Sequence, residues 1–321
     1  MISTQSSFKV ALLAAGALAL AACGSDTRSG TGTVSFYMTD APVDEAEALI
    51  LGMEYFELKP ANGPAFRVDF DEELYDEHGV VELNILDYTK GLAATLVSGE
   101  EIPAGDYEWL RIFFDESRSH IVIDGEQYSF FMPSGEQTGY KAIGGFTVPV
   151  NQEVAYMLDF DVRRSVLEPP GLGPHGEPRR FLLKPTVRLM NLEDTGGVRG
   201  SVALELLAEA NDEEVCAGGD AVYVFEGEAV DPLAEDVLPL ASDVVDLAED
   251  SLAGEYALMY LLPRTYTLAF TCSASLDVQD GEEYTWPPAD EDFAFSASAT
   301  VEILSGEVVE CDFLEEGENQ C

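Results

Sequence analysis

Val34-Ser35-Phe36-Tyr37-Met38-Thr39-Asp40-Ala41-Pro42 alternates large apolar side chains with others and then meets a turn. A period of two is the signature of a β-strand with one buried face. The same pattern recurs downstream. Residues 48–58 predict a second strand, with Ile50, Gly52, Glu54 and Phe56 on one side and Leu51, Met53 and Tyr55 on the other. Residues 80–86 predict a third, and 87–96 a short helix or turn. The turn Ile102-Pro103-Ala104-Gly105-Asp106-Tyr107 enters a strand over 107–114, in which Tyr107, Trp109, Arg111 and Phe113 share a face. Further strands are expected at 121–123, 128–132, 146–150, 154–162 and 181–190. Short strands at close spacing, with little helical periodicity, predict a β-sandwich.

A second run of strands opens at Gly197-Val198-Arg199-Gly200-Ser201-Val202 and continues at 221–225, 256–262, 267–272, 293–303 and 308–313. Leu262-Pro263-Arg264-Thr265-Tyr266 repeats the turn type of 103–107, which is a shared turn and not a duplication. Charge changes at the same place. Residues 196–321 carry 30 acidic side chains against Arg199 and Arg264 alone, a net of −28. The expectation is an all-β protein with two sandwich domains, immunoglobulin-like or prealbumin-like, over 33–195 and 196–321.

Ahead of these domains an apolar run closes on Leu20-Ala21-Ala22-Cys23-Gly24, with Lys9 in front of it. This resembles a bacterial lipobox. Residues 1–22 then form a signal peptide, Cys23 is the lipidated residue, and the Ser-, Thr- and Gly-rich stretch up to residue 32 is a tether. The run is shorter than the roughly 20 apolar residues of a transmembrane helix. Acyl chains would hold the protein to a membrane, facing away from the cytoplasm. Gly24, not Asp, follows the cysteine, which fits the outer membrane better than the inner.

An ordered set of motifs carries a family resemblance. The opening strand-turn, Leu83 to Asp87, Ile102 to Tyr107, Gly144-Gly145-Phe146-Thr147-Val148-Pro149, Leu158-Asp159-Phe160-Asp161-Val162-Arg163-Arg164-Ser165 and Leu182-Leu183-Lys184-Pro185 follow one another. Over about residues 32–192 the chain resembles the bacterial lipoprotein family catalogued as Domain of Unknown Function 4382. The resemblance implies an exported, lipid-anchored sandwich domain and no activity. The proline-glycine insert at 168–178 is longer than the family's usual loop. The second domain resembles carboxypeptidase-regulatory-like or prealbumin-like modules, which are usually spacers or adhesive units.

The chain holds 61 acidic and 16 basic residues, a net charge of −45. Repulsion excludes nucleic acid and anionic lipid surfaces as partners. Cations, basic proteins and neutral sugars remain. Most of the acids read as a soluble, self-repelling surface, as in proteins from salty water, and stability should rise with salt as the repulsion is screened. His78, His120 and His175 sit in no nucleophile-elbow or zinc-helix motif. Asp69-Phe70-Asp71 starts like a calcium loop, but Leu74 stands where the turn needs glycine. Asp159 and Asp161 project from one strand face and are the weak candidates for a cation site, calcium being the possible cofactor. The competing reading is an ion-pair ladder with Arg163 in register and Lys184 or Arg188 across the sheet.

Tyr37, Tyr128, Tyr140, Tyr284 and Trp286 are the aromatic candidates for stacking on sugar. Trp286, in Tyr284-Thr285-Trp286-Pro287-Pro288, is the first choice as a contact residue, with Tyr284 beside it. Cys216, Cys272, Cys311 and Cys321 all lie in the second domain, and an even number in an oxidising compartment implies two disulfides. Three connectivities are possible; Cys216–Cys272 with Cys311–Cys321 is preferred. Their spacings are too loose for a zinc site.

These features describe a non-catalytic, lipid-anchored envelope protein. Its expected partners are the membrane, through the lipid, and a polysaccharide or an envelope protein. A purely structural lipoprotein is the alternative; calcium-dependent or hydrolytic activity comes third. The anchor is testable directly. Cys23→Ala should move the protein from the detergent phase to the aqueous phase in a partitioning assay. A variant that stays in the detergent phase rules the lipidation site out.

Overall fold

The computed structural model describes residues 30–41, 46–132, 138–167, 181–208, 219–235, 237–247, 253–277, 285–314 and 319–321. Cys23, Cys216, Tyr284 and the lipobox lie outside them. The first unit contains β1 (Thr31–Ala41), β2 (Ala48–Pro60), β3 (Phe66–Val68), β4 (Val81–Asn84), β5 (Ala94–Pro103), β6 (Gly105–Phe114), β7 (His120–Ile123), β8 (Glu126–Phe131), β9 (Tyr140–Lys141), β10 (Phe146–Val148), β11 (Glu153–Asp161), β12 (Val166–Leu167), β13 (Phe181–Leu183) and β14 (Val187–Asn191). A short helix, α1 (Val162–Ser165), follows β11. The second unit contains β15 (Gly196–Ala203), the helix α2 (Leu204–Ala208), β16 (Ala221–Glu226), β17 (Ala241–Val244), β18 (Ala253–Leu261), β19 (Arg264–Thr271), β20 (Ala297–Ile303) and β21 (Val308–Glu310). The protein is all-β, as the alternation predicts.

In the first unit a four-stranded sheet, β14-β11-β1-β5, faces a larger one built along β10-β6-β2-β7-β8-β13-β12. Val34, Phe36 and Met38 of β1 are fully buried between them. Phe36 meets Phe56 and Phe146 edge to face at 5.5 and 5.8 Å between ring centroids, a geometry that aromatic quadrupoles favour.

Two bulges decide which side chains enter this core. The β2–β6 ladder slips between Met53 and Tyr55. Leu49, Leu51 and Met53 before the slip and Phe56 and Leu58 after it are all fully buried. An extra residue reverses the parity of a strand. Phe56 therefore shares the core face with Leu51, not the opposite face with Ile50. A second slip, between Lys59 and Pro60, has the same effect on β6. Tyr107 points inward with Leu110, Ile112 and Phe114, whereas Trp109, Arg111 and Phe113 hold the outer face. Tyr107 thus leaves the face that strict alternation assigns it.

Strand direction and the extent of two segments also depart from expectation. β1 runs parallel to β11, β8 to β13 and β15 to β21; alternation carries no direction. The stretch 87–96 is one 3-10 turn, Ile85–Asp87, followed by β5. The single strand expected at 181–190 divides at Lys184-Pro185-Thr186, and its halves join different sheets. Pro185 lacks the N–H that an unbroken ladder would use.

The second unit packs a three-stranded sheet, β18-β15-β21, on a four-stranded one, β17-β16-β19-β20. Val198, Tyr256 and Leu258 meet Val222, Leu268 and Phe270 between the sheets. The far face of the four-stranded sheet is covered as well. Tyr223 and Phe225 are buried there with Trp286 and Phe293. The Trp286 ring lies 5.6 Å from Tyr223 and 5.6 Å from Phe293, and its Nε1 donates to the Pro232 carbonyl at 2.9 Å. This corrects the reading of Trp286 as a contact residue. The sheet is apolar on both faces, and Trp286 supplies the cover of the second one.

The two shared turns close in the same way. The Tyr107 hydroxyl donates to the Pro103 carbonyl at 2.7 Å, and the Tyr266 hydroxyl to the Leu262 carbonyl at 2.8 Å. Cys311 and Cys321 form the expected short-loop disulfide, and Cys272 is also disulfide-bonded. Trp286→Ala should lower unfolding free energy by about 3–5 kcal/mol. Denaturant unfolding measures this, and a loss below about 1 kcal/mol would place the ring outside the core.

Candidate functional site at the seam and the outer sheet face

The two hydrophobic cores meet across a polar seam. Lys90 lies in the turn after Ile85–Asp87, where it and Gly91 both adopt positive φ, 53° and 86°. Its ammonium reaches into the second unit. It lies 3.1 Å from Asp243 Oδ2, 2.6 Å from the Val244 carbonyl, 3.3 Å from the Glu255 carbonyl and 3.2 Å from Asp246 Oδ2. The Ala257 N–H also donates to Asp243 Oδ2, at 2.7 Å. The Tyr260 hydroxyl returns the contact, donating to the Gly91 carbonyl at 2.7 Å. Asp243 is 1% exposed.

Asp159 and Asp161 stand at the same seam. Asp159 registers directly opposite Arg188, whose Nε and Nη2 both donate to its Oδ2. Asp161 ends β11 and accepts the Arg164 N–H at 3.1 Å as the cap of α1. The Arg188 partner is therefore the one across the sheet. Arg163 is not in register with them, because the chain turns into α1 at Val162. It crosses the seam instead: its Nε donates to Ser242 Oγ at 2.9 Å, and its Nη1 lies 3.8 Å from Asp277. Among the described residues no three His, Cys, Asp or Glu side chains converge as a metal-ligand set.

The outer face of the larger sheet carries a second cluster. Cross-strand register aligns Arg67, Glu57, Arg111 and Lys141 in one row. On one side of it Lys59 pairs with Trp109, and Tyr55 pairs with Phe113 on the other. The Arg111 guanidinium sits 4.4 Å over the Trp109 ring, and the Arg67 guanidinium 4.0 Å over Tyr55. Tyr55 and Phe113 stack at 4.5 Å. Asp69, Glu57 and Glu108 add acceptors at the rim.

The other sequence candidates do not join these clusters. Tyr37 is half-buried on β1. Tyr128 is half-buried and donates to Glu126 at 3.0 Å. Tyr140 is half-buried and donates to the Leu183 carbonyl at 3.2 Å. His78 is exposed beside Glu77, and His120 is half-buried on β7. Lys90 and Asp243 escaped sequence reasoning, whereas Trp109 and Arg111 were expected on one face of their strand but not as part of a site. The one available signal was Lys90-Gly91 itself, a turn pair inviting positive φ.

Residues 31–185 match the family Domain of unknown function (DUF4382). The DUF4382 stretch contains Lys90, Asp159 and Arg163, while Asp243, Ser242 and Tyr260 lie beyond it. The seam therefore joins that stretch to the acidic second unit. No curated protein matches the chain. A leucine-rich repeat protein from Bacteroides thetaiotaomicron VPI-5482 is similar at 12% identity and a TM-score of 0.22; the match covers 88% of this chain, which spans only 26% of that one. The minor pilin GBS52 of Streptococcus agalactiae is similar at 10% identity and a TM-score of 0.18, covering 87% of this chain and 94% of its own. The fimbrial anchor protein Mfa2 of Porphyromonas gingivalis is similar at 11% and 0.17, covering 75% and 78%. Likeness at this level carries nothing about function. Among the described residues no helix is long and apolar enough to cross a membrane.

Burial raises two seam carboxyls from 3.8 to about 6: Asp161, against the Arg164 N–H and charge, and Asp243, against Lys90. A raised pKa means that the folded state holds protons which the unfolded chain has released. Stability from these two groups is complete below about pH 3.8 and is lost as pH rises through about 6. Melting temperature should therefore climb between pH 7.5 and pH 5, and less steeply in Asp243→Asn. An equal climb in wild type and variant would remove Asp243 from the effect.

Proposed function

We propose that the chain is a non-catalytic, lipid-anchored envelope protein whose first unit binds a polysaccharide. The observation that carries this reading is the outer face of the larger sheet. Trp109 presents half-buried ring surface there, with the Arg111 guanidinium over one face, while Tyr55 is packed against Arg67 and Phe113. Around them Lys59, Arg67, Arg111, Lys141, Glu57 and Glu108 offer charged donors and acceptors a strand apart. Sugar hydroxyls take both kinds of partner, and sugar C–H faces pack on aromatic surface. In a chain of net charge −45, this face sets four bases, Lys59, Arg67, Arg111 and Lys141, beside three acids, Glu57, Asp69 and Glu108. A neutral polysaccharide meets no repulsion there, whereas a basic protein would find most of its attraction elsewhere.

The lipobox at Leu20-Ala21-Ala22-Cys23 supports export and tethering, with the outer membrane as the favoured site. A purely structural role is the second reading. The charged seam favours it, because it couples the two sandwiches into one stiff body, as a spacer requires. A glycan array probed with wild type and with Trp109→Ala separates the two. Glycan signal in wild type that falls at least about tenfold in Trp109→Ala supports the binding reading. No signal in wild type, or signal unchanged in the variant, overturns it. Capture of an envelope protein with an empty array would move the role to protein contact.

A further inference from the structure

Asp243 leaves one question at the seam. Its Oδ2 accepts both Lys90 and the Ala257 N–H. Its Oδ1 is fully buried and has no hydrogen-bond partner. Buried carboxylate oxygens without a partner are costly, so the seam must supply one. No nearby cation does. Lys90 has three N–H donors and already faces four oxygens, those of Asp243, Asp246, Val244 and Glu255. Arg188 directs its Nε and Nη2 at Asp159.

Asp243 lines a cavity of about 30 Å³ between the two units, whose walls include Thr39, Asp40, Asp159, Arg188 and Ser242. A site needs about 10–15 Å³ to seat one water-sized particle. The local charge count points the same way. Asp243 and Asp246 share the single ammonium of Lys90, and Asp159 is matched by Arg188. The buried Asp243 carboxylate thus shares its one ammonium with Asp246, and the cavity wall holds the further acid Asp40. Water can donate a hydrogen bond there but cannot balance the charge.

We propose that this cavity seats a monovalent cation of sodium or potassium size against Asp243 Oδ1, and that the ion ties the two units together. A divalent ion is a poor fit, since among the described residues no set of three acidic, cysteine or histidine ligands converges at the seam and dehydration would go unrepaid. A tetraalkylammonium ion carries its charge behind alkyl groups and cannot coordinate a carboxylate oxygen as a bare monovalent cation does. The ion is thus distinct from the diffuse counterions that screen the acidic surface.

The test holds ionic strength at 1 M chloride and replaces tetramethylammonium stepwise by sodium, following thermal unfolding of the full soluble chain. General screening is the same throughout. The seated ion should raise Tm by several degrees, saturating with sodium concentration, as expected when a ligand binds only the folded state. Asp243→Asn should abolish that rise while keeping the gain that tetramethylammonium itself gives over low salt. At pH 5 the rise should also fade in wild type, because burial puts the Asp243 carboxyl at about 6 and a proton then competes for the oxygen. Equal Tm in the two salts, or a rise kept by Asp243→Asn, overturns the proposal. If Asp243→Asn does not fold, sodium-23 relaxation of wild type in a tetramethylammonium background decides. Excess broadening that potassium displaces supports the site, and its absence overturns it.

Discussion

The Lys90 ammonium is the contact on which the arrangement of the molecule turns. It is a base from one sandwich inserted among the backbone carbonyls and a buried carboxylate of the other. Asp243 could not stay buried alone, and Lys90 is three-quarters covered only because acceptors meet it. Uncompensated, Asp243 would carry the full cost of a dehydrated charge; without acceptors, Lys90 would return to water. Each unit therefore makes the other's polar group tolerable. Arg163 repeats the exchange a short distance away, reaching Ser242 and Asp277. Charges of opposite sign, placed on opposite sides, give the seam a single register that an apolar contact would leave open to sliding.

This economy of bases matters in so acidic a chain. The second unit has two basic residues of its own, Arg199 and Arg264, and both are partly exposed and paired at its surface, with Glu310 and Glu226. It cannot neutralise its buried aspartates from within. The first unit supplies the cations, Lys90 to Asp243 and Arg163 to Asp277. The charge imbalance between the two halves is then more than a matter of solubility. It makes docking of the acidic unit on the more basic one the route by which its interior charges are met.

What was legible in the sequence follows from what a period of two can encode. β1 was readable because Val34, Phe36 and Met38 enter a core without interruption, and the tyrosine turns were readable because proline and glycine set them. β2 and β6 were misread in part because each contains a bulge, and one extra residue exchanges the faces. Tyr107, Phe56 and Tyr55 are the side chains this moved. Parallel partners were invisible, since alternation is the same in either direction. Trp286 was misplaced for a different reason. A sequence window around it shows prolines, a turn and acids, all marks of an exposed loop. Its burial depends on Tyr223 and Phe225, some sixty residues earlier, turning apolar side chains to the far face of their sheet.

The charged residues show the same limit. The sequence pairs Asp159 and Asp161 on one face and offers Lys184 or Arg188 across the sheet; the register places Arg188 opposite Asp159. The pairing could be anticipated because it lies within one sheet. Lys90 and Asp243 are separated by 153 positions and belong to different units, so no local pattern links them. Only the docking geometry does. The acids that matter most are therefore not those that look most clustered in the sequence, such as Asp69 to Glu73, which lie in an exposed connection on the surface. They are Asp243 and Asp277, single buried aspartates that meet Lys90 and Arg163 from across the seam.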